Sequence, residues 1–194
     1  MHEHPIVAAN AKHFDCQKFR HRTKYLMPNN DAATSLDAIA SVLGRTPSGI
    51  FILTAGDGAD AETGMLASWV QQAGFDPPAV SVAVNNKRYL NDWLAKSPRV
   101  VLNLVGESQK QYLGHFGRGF EPDQLAFEGV EVQRSPGGLP ILADALGWME
   151  GQVAAQADAG DHTVYIIHIE SAGAGPALET EKPWVHIRKN GRNY

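Results

Sequence analysis

Between residues 49 and 188 the chain is cut into short β-favouring apolar runs by turn-forming residues, and this punctuation constrains the fold more than any other feature. Gly49-Ile50-Phe51-Ile52-Leu53-Thr54-Ala55 is the first run. Gly56-Asp57-Gly58 supplies the residues of a hairpin turn, and residues 65–70 read as the returning strand. After Pro77-Pro78, residues 79–84 form another strand, which Asn85-Asn86 punctuates. Residues 99–105 are again strand-like. Residues 147–157 and 162–171 flank the turn Asp158-Ala159-Gly160-Asp161 and read as one long hairpin, and residues 183–188 supply a last strand. Many strands with few helices between them predict a mostly β protein, a closed or nearly closed antiparallel β-barrel with a few helices.

Three helices interrupt the pattern. In the first, Thr34 is read as the N-cap, Asp37 sits near the positive helix end, and Leu36, Ile39, Ala40 and Leu43 share a face. Gly44 suits a left-handed cap that ends it. Residues 89–96 predict a short helix burying Leu90, Trp93 and Leu94. Residues 107–116 predict another, with Tyr112, Leu113 and Phe116 on one side. Residues 1–33 are polar and irregular, an N-terminal arm outside the main domain of residues 34–194. His13, Cys16 and His21 in that arm are metal-capable in type, but no second Cys or His pair gives zinc-like spacing, so no metal is expected.

Composition removes several function classes. A net charge of −4 argues against a nucleic-acid binder, which normally carries a basic face. No apolar run approaches the roughly 20 residues that span a bilayer. Met1-His2-Glu3-His4-Pro5 lacks the basic-then-apolar order of a secretory leader, and the single Cys16 fits a reducing compartment, so a cytoplasmic protein is expected. Ser48 and Ser68 lack a nucleophile-elbow context, which disfavours hydrolase chemistry.

Several segments, in order, carry a more specific signal. They are Leu43-Gly44-Arg45-Thr46-Pro47-Ser48-Gly49-Ile50-Phe51-Ile52-Leu53-Thr54-Ala55, then Gly64-Met65-Leu66-Ala67-Ser68-Trp69-Val70-Gln71-Gln72-Ala73-Gly74-Phe75 with Pro77-Pro78 after it. His115-Phe116, Pro140-Ile141-Leu142, Gly160-Asp161-His162 and the closing His186-Ile187-Arg188-Lys189-Asn190-Gly191-Arg192-Asn193-Tyr194 follow. Together they resemble the flavin reductase-like family of FMN-binding split barrels, in particular the module at the C-terminal end of A-type diflavin flavoproteins. The di-iron and flavodoxin-like domains of those flavoproteins have no counterpart in these 194 residues, so only the reductase-like part carries over.

The resemblance implies an NAD(P)H-dependent flavin reductase that uses FMN, with NADH or NADPH as co-substrate. It implies Met65, Leu66, Ala67, Ser68, Trp69 and Val70 along the flavin edge; read structurally, these are an ordinary core strand, and Trp69 a packing residue. Asn85, Asn86, Lys87 and Arg88 stand where strand gives way to helix, so backbone N–H groups and two cations are candidates for the FMN phosphate, or else a solvated charged turn. His115, Phe116 and Arg118 are placed near the reduced ring, the alternative for His115 being a hydrogen bond at a helix end. The resemblance makes His162 the nicotinamide-side candidate; its plain reading is a turn histidine bonded to Asp161. Arg188 and Tyr194 resemble residues that close the site. Hydride transfer needs positioned rings rather than a side-chain nucleophile, which fits a chain with no evident triad. The competing readings are an FMN-holding electron-transfer flavoprotein without NAD(P)H activity and a split-barrel relative with another ligand. A homodimer whose second subunit completes the site is also implied, with a protein electron acceptor as a candidate partner.

Overall fold

Alternation along the strands builds the molecule. The computed structural model describes residues 32–56 and 60–192. The chain divides into two compact units, residues 1–39 and 40–194. The described part of the first is the opening of helix α1 (Ala32–Gly44). The second holds the barrel.

Seven antiparallel strands follow the order β3 (Glu62–Ala67), β2 (Phe51–Gly56), β6 (Arg99–Leu104), β9 (Gly147–Asp158), β10 (His162–Ala174), β5 (Pro78–Asn85), β4 (Val70–Phe75). β3 and β4 lie at opposite ends of this order yet are consecutive in sequence, with only Ser68 and Trp69 between them. A flat seven-stranded sheet would be about 29 Å wide, whereas the link from Ala67 to Val70 reaches about 10 Å. The sheet must therefore curl until its edges meet. Ala83 N–H donates to the Trp69 carbonyl at 3.1 Å, beside the start of the β4–β5 ladder, where Val70 faces Val82.

One face of every strand fills the interior. Leu53, Ala55, Ala67, Val70, Val82 and Leu102 belong to a single buried cluster with Val80, Val84, Val100, Tyr165 and Ile167. β-Branched residues dominate because they pack well on a pleated surface. Helix α2 (Leu90–Lys96) adds Leu90 and Leu94 to this cluster and also buries Trp93. The opposite face of β2 and β3 carries Ile52 and Leu66 into a second cluster with Ile50, Val105, Tyr112, Phe116 and Leu142. Helix α3 (Gln111–Phe116) and a small hairpin of β7 (Val132–Arg134) and β8 (Pro140–Leu142) supply part of that second layer. Buried Asn103 ties the hairpin down: its Nδ2 donates to Ile52 O and Thr54 Oγ1, and its Oδ1 accepts from Leu142 N–H. β1 (Ser48–Gly49) pairs with β11 (Val185–His186).

The strands after Pro77, the helix over Leu90–Lys96 and the long hairpin lie where the punctuation predicts them. Gly160, at φ +89°, takes the left-handed turn position, and its N–H donates to Asp158 Oδ1 at 2.8 Å. Five expectations need correction. The single returning strand over residues 65–70 is two strands, because its middle crosses from one sheet edge to the other. α1 starts at Ala32, which puts Thr34 inside it rather than at its cap, and of the expected apolar face only Ala40 is buried while Leu36, Ile39 and Leu43 are exposed. Leu113 is exposed although Tyr112 and Phe116 beside it are buried. Gly44 has no positive φ; it is small because a Cβ there would stand 2.6 Å from the Asn190 backbone. The Asp57-Gly58 turn, the arm residues His13, Cys16 and His21, and Tyr194 lie outside the described residues.

Candidate functional site

Two ends of the barrel wall converge at β5. His162, the first residue of β10, pairs with Asn85 at the end of β5. Trp69 reaches β5 from the other side through the bond to Ala83. Val80, Val82 and Val84 point inward, so Ala83 and Asn85 point out, and with them His162 in register. On that outer side the Trp69 and His162 rings lie 4.7 Å apart, tilted by 43°. The Arg188 guanidinium carbon stands 4.9 Å over the Trp69 ring, a cation–π contact. Trp69 and Arg188 are half-buried and His162 is buried, an unusual trio to find on the outside of a barrel.

The turn beside them is tightly held. His162 Nδ1 lies 2.8 Å from Asp161 Oδ1. That contact holds the Asp161 carboxyl below the usual carboxylate range, with Lys87 contributing a smaller effect. Asn86 bonds across with both ends of its amide, Nδ2 donating to Gly160 O at 2.9 Å and Oδ1 accepting from Thr163 Oγ1 at 2.8 Å. The expected phosphate cradle differs accordingly. Asn86 N–H donates to Asp161 O, Lys87 N–H to Asn85 Oδ1 and Arg88 N–H to Asn85 O. Those three backbone donors are engaged within the turn, which leaves side-chain cations for an anion. Lys87 is exposed. Arg88 Nη1 donates to Arg118 O at 2.9 Å, which brings Arg88 alongside exposed Arg118. Gly119 permits this approach: its φ is +74° and a Cβ would fall 2.2 Å from Arg88 Nη1.

The other candidates lie elsewhere. Met65 is half-buried at the edge of the interior cluster and lines a small depression with Thr63, Arg88, Tyr89 and Phe120. Thr63 and Tyr89 share a hydroxyl–hydroxyl bond of 2.6 Å there. Ala67 and Val70 are interior residues, and Ser68 is buried. Leu66 faces the second cluster. Phe116 is 0% exposed among Tyr112, His115, Phe120 and Phe127 and offers a ligand no surface in this conformation. His115 Nε2 lies 2.8 Å from Ala126 O, the helix-end bond weighed for it, and its ring lines a cavity of about 400 Å³ with Tyr112, Glu131 and Asp144. Tyr112 bonds Asp144, and burial, then Asp144, push its phenol far above its usual value, so it stays neutral. Among the described residues no three His, Cys, Asp or Glu side chains form a metal-holding group, and no helix is long and apolar enough to cross a membrane.

The bond between His162 and Asp161 is the one the plain reading of His162 gave, but nothing local announced that Asn86 would hold that turn. Sequence reasoning missed Gly119, which admits Arg88, and Tyr89, which lines the depression with Met65.

Comparison with known proteins agrees with this architecture. The model of the flavin reductase like domain matches residues 43–193. Diflavin flavoprotein A 1 of Synechocystis sp. PCC 6803 is 37% identical over 162 residues, covering 82% of this chain but 28% of its own length. The chain thus spans under a third of that relative. The NADH:FAD oxidoreductase SgcE6 of Streptomyces globisporus superposes with a TM-score of 0.69 at 23% identity, over 78% of this chain and 87% of that one. The same enzyme in complex with NAD and FAD fragments gives a TM-score of 0.68 at 21% identity, over 79% and 89%.

Proposed function

The chain belongs to the flavin reductase-like domain family, and from that premise we propose that it binds FMN on the outer rim of the barrel and accepts hydride from NADH or NADPH. The observation that carries this reading is the convergence of Trp69, His162 and Arg188 outside β5, beside the cations Lys87 and Arg88. The donor set suits the group. An amphipathic aromatic ring and a neighbouring guanidinium match a planar ring system that gains negative charge, and exposed cations match a dianionic tail. When bound, FMN supplies a ring that takes up two electrons with the hydride.

In this reading each residue has a bounded task. Trp69 and the backbone from Met65 to Val70 flank the ring, and Arg188 offsets its charge. Lys87 and Arg88, with Arg118 beside them, hold the phosphate through side chains. Asn85 and Asn86 shape the turn rather than touch the anion. His162 orients the nicotinamide. A second subunit completes the site, and reduced flavin or a protein acceptor carries the electrons onward; light scattering that returns a monomer at micromolar concentration removes the dimer from this reading.

The test is the absorbance spectrum of purified protein with FMN, before and after anaerobic NADH or NADPH. A flavin spectrum that either nucleotide bleaches supports the proposal. Bound flavin that neither bleaches points to an electron carrier, and protein that takes up no FMN at millimolar supply removes the reading altogether.

A further inference from the structure

The tip of a long hairpin is normally its loosest part, because few contacts order it. Here it is fixed on both sides of His162. Asn86 N–H donates to Asp161 O at 3.0 Å, Asn86 Nδ2 holds the Gly160 carbonyl, and Thr163 Oγ1 donates to Asn86 Oδ1. Ala159 N–H closes the turn on His162 O at 2.9 Å. The effect is to place one carboxylate oxygen, Asp161 Oδ1, 2.8 Å from His162 Nδ1.

An ionised carboxylate only accepts, so Nδ1 is the nitrogen that carries the proton. Nε2 has no hydrogen-bond partner among the described residues. In the neutral ring Nε2 is then a lone-pair acceptor, next to the Trp69 ring. A nicotinamide ring carries a carboxamide whose N–H₂ donates to such an acceptor; the opposite tautomer would present a donor instead, which only the carboxamide oxygen could accept.

We propose that Asp161, held in place by Asn86, is a positioning residue that fixes the tautomer of His162 and presents Nε2 as the acceptor for a nicotinamide carboxamide. This rests on the functional reading above for its ligand, and on the turn geometry alone for the tautomer. The two parts fail separately.

The experiment uses the full chain labelled with ¹⁵N-histidine. Long-range ¹H–¹⁵N spectra at neutral pH are recorded for the wild type, Asp161→Ala, Asp161→Asn and Asn86→Ala, and each is assayed for KM(NADH), kcat and FMN affinity. The wild type shows His162 protonated at Nδ1. Asp161→Ala shifts it toward the Nε2-protonated form and raises KM(NADH) about three- to fivefold, a modest change because the Asp161 side of the contact is exposed. Its kcat and FMN affinity stay within roughly twofold. Asp161→Asn, which keeps an acceptor oxygen, restores part of the wild-type spectrum and KM, and Asn86→Ala falls between wild type and Asp161→Ala. A wild-type His162 protonated at Nε2, or an Asp161→Ala spectrum identical to wild type, overturns the positioning role. KM(NADH) and FMN affinity changing together overturns it in favour of general damage to the site. Should the wild type oxidise no NADH, the nicotinamide assignment falls while the spectra still decide whether Asp161 sets the tautomer.

Discussion

The outer surface of the barrel is treated in two opposite ways. Outside β2 and β3 it is covered: Ile52 is buried under Tyr112, Phe116 and Leu142, Leu66 packs half-buried against them, and the polar atoms of Asn103 are all bonded. Outside β5 it ends in Trp69, His162 and Arg188, aromatic and cationic groups in contact with one another. Interior packing is common to both regions, so it cannot distinguish them. What differs is the cover. A covered face serves stability; a rim of partly or largely buried rings beside cations is suited to a planar, anionic guest.

Substitutions on the two sides should therefore separate folding from binding. Phe116→Ala, on the covered side, is expected to cost about 3–5 kcal/mol in urea or thermal unfolding, since it opens a cavity in a fully buried site, while the folded fraction keeps its FMN affinity. Asn103→Ala should cost about 2–3 kcal/mol, because it leaves the Leu142 N–H without its buried acceptor. On the open side, Trp69→Leu should reverse the pattern: FMN binding falls about tenfold, near 1.4 kcal/mol, with unfolding stability within about 1 kcal/mol of wild type. A Trp69→Leu protein that loses stability but binds FMN normally would erase the distinction. The smallest effect concerns pH. The Asp161 carboxyl sits below its usual range through its contact with His162. A depressed folded-state value stabilises the native state above the unfolded-state pKa and loses that contribution as pH falls through the folded one. The stability difference between wild type and Asp161→Ala should thus be present near neutrality and close in acid; a gap that widens in acid contradicts the contact.

Much of this was readable in the residues. Runs of β-branched residues after Pro77, the Asp158-Ala159-Gly160-Asp161 turn and the Leu90/Trp93/Leu94 face each carry a local cause that tertiary structure left alone. The break at Ser68-Trp69 was hidden because neither residue punctuates a strand and apolar residues flank both sides. Periodicity showed that Phe116 has an apolar neighbourhood but not which surface covers it. The short β7–β8 hairpin was not read as a hairpin: β8 lies in the apolar run of residues 139–143, but its partner Val132-Gln133-Arg134 is mostly polar and only three residues long. At the site, the Asn85-Asn86-Lys87-Arg88 spelling offered backbone donors, and only the folded turn shows that Asp161 and Asn85 have taken them. Long-range pairing decides such matters, and spacing along the chain does not encode it directly.

The central claim is that the open rim, not the covered side, receives the flavin. Titrating FMN into ¹⁵N-labelled protein reads both regions in one spectrum. The expected result is perturbation of the Trp69 indole and of the Asn86, Lys87 and His162 signals, with Asn103 and Leu142 unmoved. Perturbation confined to Tyr112, His115 and Asp144, or no perturbation at any FMN concentration, would contradict it.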